Sequence, residues 1–103
     1  MHEYKHNNPA DLSDTLLNIE SKERMEDFLH DLCTPSELKA LMERWNVCQL
    51  LATNELSYRG ISAITGASLT TIGRVARFLR REHTGGYRNI LEDREKNNDQ
   101  IIR

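Results

Sequence analysis

Residues 56–81 read LSYRGISAITGASLTTIGRVARFLRR, and how this stretch folds decides the fold class of the whole chain. Apolar residues recur at helical spacing on both sides of Gly66, which predicts two short amphipathic helices. Ser57 is placed to cap the first, with Ile61 and Ile64 turned inward. Gly66 supplies the left-handed residue that ends it, because only a residue without Cβ adopts that conformation freely. Ser68 or Thr70 caps the second, whose inward residues are Ile72, Val75 or Ala76, and Leu79. Two helices joined by a tight glycine-containing turn form a helix-turn-helix. An ordinary helical hairpin would share the turn, but the capped second helix and the arginines at 74, 77, 80 and 81 favour the nucleic-acid-binding form.

The charge distribution agrees. The 103-residue chain carries a net charge of −2, yet residues 1–55 hold five basic and eleven acidic groups whereas residues 56–103 hold nine basic and five acidic ones. The helix-turn-helix is therefore a basic segment of an acidic protein, as a polyanion-binding element would be. At 38% hydrophobic and 29% charged residues the composition is that of a soluble globular protein without a membrane span or signal peptide, and a cytoplasmic location is expected. A chain this short makes one domain and gains useful burial by pairing with a second copy. Cys33 and Cys48 lack the spacing of a disulfide framework or a zinc site, so both are expected to be buried reduced thiols.

Helices are predicted throughout, so the fold class is all-α. Asn8-Pro9 resembles an N-cap followed by proline at the first helical position, leading into Leu12, Leu16, Leu17 and Ile19. Ser21 is a weaker start for a helix carrying Met25, Phe28, Leu29 and Leu32 and ending near Cys33. Thr34-Pro35-Ser36-Glu37 offers a capping box to a long helix running to about Thr53. That helix has apolar residues on more than one face, which calls for a second subunit as cover. After Gly85-Gly86, Tyr87, Ile90 and Leu91 fit a last helix over 86–96 packed on the partner, with DREKNNDQ as its solvated end or a frayed tail. The polar MHEYKHNN segment holds two histidines without helical pairing, so no metal site is expected, and nothing calls for a cofactor.

In a DNA-binding helix-turn-helix the second helix enters the major groove with its N-terminal residues toward base edges, and the first crosses the phosphates. The exposed candidates at that tip are Ser68, Leu69, Thr70 and Gly73, all small or apolar and suited to thymine methyl groups or water-mediated contact. The arginines behind the tip suit phosphates or a ligand pocket. No nucleophile-histidine pattern, glycine-rich phosphate loop or carboxylate pair points to an enzyme, and no catalytic residue is assigned.

The stretch LCTPSELKALMERWNVCQLLATNELSYRGISAITGASLTTIGRVARF, residues 32–78, resembles the tryptophan repressors and more closely their YerC/YecD-type relatives. The resemblance rests jointly on the Thr-Pro helix start, Arg44, LSYRGISAITGAS and TTIGR. It implies an intertwined helical homodimer with a shared core and one DNA-reading head per chain. Residues 1–55 would then supply the dimerisation helices and residues 56–82 the helix-turn-helix of a single domain spanning 1–103. It also implies DNA contacts from Tyr58, Arg59 and Ser62 on the first helix and from Ser68, Leu69, Thr70 and Gly73 on the second. Tyr58, Ser62, Thr70 and Gly73 differ in type from the repressors' residues, so the operator does not carry over.

In that family the corepressor's indole lies between two arginines from the two subunits, matching Arg44 and Arg74 here, with Thr34 and Thr71 near the pocket. Guanidinium planes stack on an aromatic ring and bind a carboxylate, so the chemistry is coherent. Val75 replaces the family's glycine and Phe78 its serine, which leaves the effector unknown and places Phe78 where the indole would sit. The expectation is a homodimeric, sequence-specific transcriptional repressor acting on double-stranded DNA and not controlled by free tryptophan. The alternative is a dimeric protein-interaction module without specific DNA binding.

Overall fold

A computed structural model describes residues 9–80 and 84–102. Asn8, the segment before it, and Arg81 and Glu82 at the end of the expected helix-turn-helix lie outside the described residues. The elements are α1 (Leu12–Leu17), α2 (Lys22–Leu32), α3 (Pro35–Thr53), α4 (Tyr58–Thr65), α5 (Leu69–Arg80) and α6 (Gly86–Ile102), with no strand among the described residues. The all-α expectation holds.

Local chemistry sets most helix ends. α1 does not start at Pro9. The Asp11 carboxylate accepts from Asp14 N at 2.8 Å and caps a helix that begins at Leu12, because a charged acceptor satisfies an orphan N–H that the proline ring could not. Ser21 caps α2, its Oγ accepting from Arg24 N at 3.0 Å. At α3 the capping box forms in both directions: Thr34 N donates to Glu37 Oε1 at 2.8 Å and Glu37 N donates to Thr34 Oγ1 at 3.2 Å. The backbone N–H and then the hydroxyl of Thr34 hold the Glu37 carboxyl below its usual range. Asn54, at φ 58°, takes the left-handed position just past α3.

The chain divides into two compact units, Met1–Leu38 and Lys39–Arg103, and the boundary falls inside α3. In the first, no residue of α1 or α2 is buried. The second has a continuous core of Val47, Cys48 and Leu51 from α3, Ile61 from α4, Ala67 in the turn, and Ile72, Val75, Ala76 and Leu79 from α5. Trp45, Leu50, Tyr87 and Leu91 pack against it.

Four expectations need correction. Val75 and Ala76 are both inward rather than one of them. Ile64 is 64% exposed, not inward, because the side of α4 facing the turn is taken by hydroxyls: Ser62 Oγ donates to Ala67 O at 2.8 Å, and Thr65 Oγ1 accepts from Ala67 N at 3.1 Å. Tyr87 and Leu91 pack on the core of this chain, Ile90 is exposed, and α6 runs past the expected end at residue 96, through DREKNNDQ to Ile102. Of the two free thiols only Cys48 is buried, and burial pushes its pKa up to about 11, which makes it inert. Cys33 is half-buried.

Gly66 ends α4 at φ 78°, with Gly66 N donating to Ser62 O at 2.9 Å. A methyl added there would meet nothing within 4 Å, so conformation alone requires glycine. Gly66→Ala should therefore lower the unfolding free energy by about 1–2 kcal/mol in urea denaturation, the cost of a left-handed L-residue, while the helical circular dichroism stays native. A larger loss with altered dichroism would mean that the turn carries packing as well.

Candidate nucleic-acid interface

The α4–turn–α5 unit is built by short polar bonds around the buried pair Ile61 and Ile72. Ser57 caps α4, its Oγ accepting from Gly60 N at 3.1 Å, which leaves Tyr58 and Arg59 exposed on the first turn. Ser68 caps α5: its Oγ accepts from Thr71 N at 3.1 Å and donates to Thr71 Oγ1. Leu69 and Thr70 follow it at the exposed tip, and Gly73 lies half-buried one turn later.

The residues expected to meet DNA thus fall into two groups. Tyr58, Arg59, Leu69 and Thr70 present exposed side chains. Ser62 is half-buried and spends its hydroxyl proton on the Ala67 carbonyl, and the Ser68 hydroxyl is engaged by its own helix. Their internal roles account for serine at both positions.

Burial of Ile72, Val75, Ala76 and Leu79 divides what remains of α5 into two flanks. On one, Gly73, Arg77 and Arg80 line a groove of about 290 Å³ together with Ala76 and with Tyr58 of α4. On the other, Arg74 and Phe78 meet Arg44 and Trp45 of α3 and Tyr87 of α6 around a cleft of about 710 Å³. Both volumes are open to solvent, and the larger is of the size of small-molecule sites.

Within one chain, then, the structure brings Arg44, Arg74 and Phe78 to a single cleft. Thr71 is not among its lining residues, and Thr34 serves the capping box of α3. The Arg74 guanidinium carbon lies 5.3 Å from the Phe78 ring centroid, and that of Arg77 lies 5.8 Å away, so Phe78 makes a cation–π contact with each. Phe78 forms part of the wall instead of filling the space. Trp45 and Tyr87, which the sequence reading did not assign to the site, stack at 6.4 Å between centroids with 26° between their planes. Trp45 follows Arg44 directly, but nothing in the sequence pairs it with Tyr87, 42 positions downstream.

The sequence profile of the Trp repressor protein family matches residues 8–95, the greater part of the chain. The chain belongs to the Trp repressor family. It is 37% identical over 68 residues to the uncharacterized protein YerC of Bacillus subtilis (strain 168), a match covering 66% of this chain and 64% of that protein. It is 36% identical over 69 residues to the Trp operon repressor homolog of Aliivibrio salmonicida (strain LFI1238), covering 67% and 63% respectively. The matched segment thus spans just under two thirds of either relative's own length. Among the described residues no helix is long and apolar enough to cross a membrane, and no three His, Cys, Asp or Glu side chains come together as a metal site would require.

In this family member Phe78 is the structural partner of two arginines. Phe78→Leu keeps an apolar side chain of similar reach but removes the ring face. It should cost about 0.5–1 kcal/mol in denaturant unfolding at low salt, and the same substitution in an Arg74→Ala, Arg77→Ala background should cost less.

Proposed function

We propose that this chain is a DNA-binding transcriptional regulator, a repressor that acts as a homodimer in the cytoplasm. The observation that carries this reading is the exposed tip of α5, Leu69 and Thr70, standing beside the exposed Tyr58 and Arg59 of α4 on a rigidly capped two-helix unit. One helix end offers small groups to base edges and the other a cation to the backbone, which is the division of labour that duplex recognition needs. Family membership supports it. In this reading residues 1–55 serve dimerisation, and 56–82 and 86–96 supply the reading head and the terminal helix of a single domain. The dimer is supported by Leu12 at 51%, Leu17 at 81%, Leu32 at 51% and Met42 at 60% exposure, apolar surface that a second copy would remove from water.

The regulator works without free tryptophan on this reading, because the Phe78 ring already takes the guanidinium face that Arg74 would offer an indole. A protein-interaction module is the second reading, favoured by the exposure of Ile64 at 64% and Leu69 at 47% around the turn.

Electrophoretic shift of random duplex DNA separates the two: a regulator binds with a steep salt dependence, an interaction module does not. Arg59→Ala should weaken binding to all sequences alike and lower the salt slope by about one, whereas Thr70→Ala should alter sequence preference more than affinity. L-tryptophan should change neither DNA affinity nor melting temperature. Saturable tryptophan binding in calorimetry, lost in Arg74→Ala, would overturn the effector part of the proposal.

A further inference from the structure

α5 ends on a cation with two sets of surroundings. Arg80 lines the groove of about 290 Å³ beside Tyr58 and Arg77, and it also lines a second cleft, of about 340 Å³, between α3, α5 and α6. The lining of the groove holds two guanidiniums and no carboxylate, whereas that of the cleft holds Glu92 and Glu95 of α6 together with Arg88. A long side chain with several rotatable bonds, placed at a helix end, reaches either side.

The carboxylates are distributed unevenly. Residues 56–103 hold five acidic groups and none of them falls between Leu56 and Arg81, so α4 and α5 carry no acid of their own. Glu92 and Glu95 stand three positions apart on α6, which puts them on one face. Arg88, one turn before Glu92, matches one of the two in charge, and Arg80 is the other guanidinium among the described lining residues. The cleft is therefore balanced in charge with Arg80 in it, and the groove beside Tyr58 then keeps Arg77 as its cation. Leu51, Leu79 and Leu91 border the same cleft, and apolar neighbours reduce the solvent screening between the charges they adjoin.

We propose that Glu92 and Glu95 of α6 compete within the chain for the Arg80 guanidinium, so that α6 restrains the affinity of the α4–α5 unit for duplex DNA. A polyanion draws Arg80 out of the cleft and leaves a carboxylate behind, which offsets part of the gain. An exposed ion pair is weak, so the effect is a tuning of a few fold and not a block. The inference rests on the DNA-binding reading above and adds to it an inhibitory role for a helix outside the helix-turn-helix.

The test measures binding of a random duplex across salt concentrations for wild type, Glu92→Gln, Glu95→Gln, Arg80→Ala and the double variants. Asp93→Asn, on the same helix but not among the lining residues of the cleft, removes the same charge and serves as the control. Glu92→Gln and Glu95→Gln should each raise affinity at low salt by roughly two- to fivefold, beyond any gain in Asp93→Asn. The gain should shrink as salt rises, because screening weakens the competing pair. In an Arg80→Ala background it should vanish, since the contested group is gone. Thermal melting at low salt reads the same contact without DNA: the losses from Arg80→Ala and Glu92→Gln, Glu95→Gln should be less than additive when combined.

Gains no larger than that of Asp93→Asn, gains that persist in Arg80→Ala, or additive melting losses would each overturn the competition and leave the DNA-binding reading standing, provided wild type binds. A wild-type protein that binds no duplex at low salt overturns both.

Discussion

Burial of one face of α5 is the constraint on which the rest of the molecule depends. Ile72, Val75, Ala76 and Leu79 pack against Ile61 of α4 and against Val47, Cys48 and Leu51 of α3. Each large apolar side chain fully removed from water contributes about 1.5–3 kcal/mol, a driving force sufficient to order helices that would be marginal alone. Once four positions of a twelve-residue helix face inward, helical geometry leaves only two flanks and a tip. Arg74 and Phe78 must then look toward α3 and α6, while Gly73, Arg77 and Arg80 look outward beside α4. The chemistry of both surfaces follows from how α5 is rotated.

The turn transmits that constraint to α4. Gly66 in the left-handed region reverses the chain, and the hydroxyls of Ser62 and Thr65 tie it to Ala67, itself buried. Polar side chains thus do work inside the unit that would otherwise be ascribed to recognition. Where a small hydroxyl residue satisfies a nearby backbone group, local hydrogen bonding competes with any outward role, because one proton makes one strong bond. The outward-facing set is correspondingly narrow: a phenol, a guanidinium, a leucine and a threonine around the tip, and two more guanidiniums behind it.

The cleft between α3, α5 and α6 shows how a ligand-like arrangement of residues is also a packing solution. Two arginines and three aromatic rings gather there, and Phe78 serves two of the cations on α5 at once. Trp45 and Tyr87 cover the edge of the core by stacking. Arg94 of α6 donates to Gln49 of α3 in the same unit, a second tie between these helices. Phe78 makes that part of the cleft an aromatic wall.

Much of this was determined by the sequence alone, because it depends on contacts a few residues apart. The Thr34–Glu37 box, the Ser57 and Ser21 caps, the left-handed Gly66 and the inward stripe of α5 are all local, and their residue types state their conformations. The family was legible for the same reason, in motifs that are contiguous. Other features were decided by the tertiary structure. Ile64 has the periodicity of a core residue and is exposed because hydroxyls occupy the turn side of α4. Tyr87 and Leu91 pack on a core formed by segments far away in the sequence. Gly73 looked like one more small residue at a reading tip until the space around it showed that the chain does not need it to be glycine. Helix ends are set by neighbours in sequence, whereas the choice of which flank is covered is set by whatever distant segment arrives there, and periodicity carries no record of that.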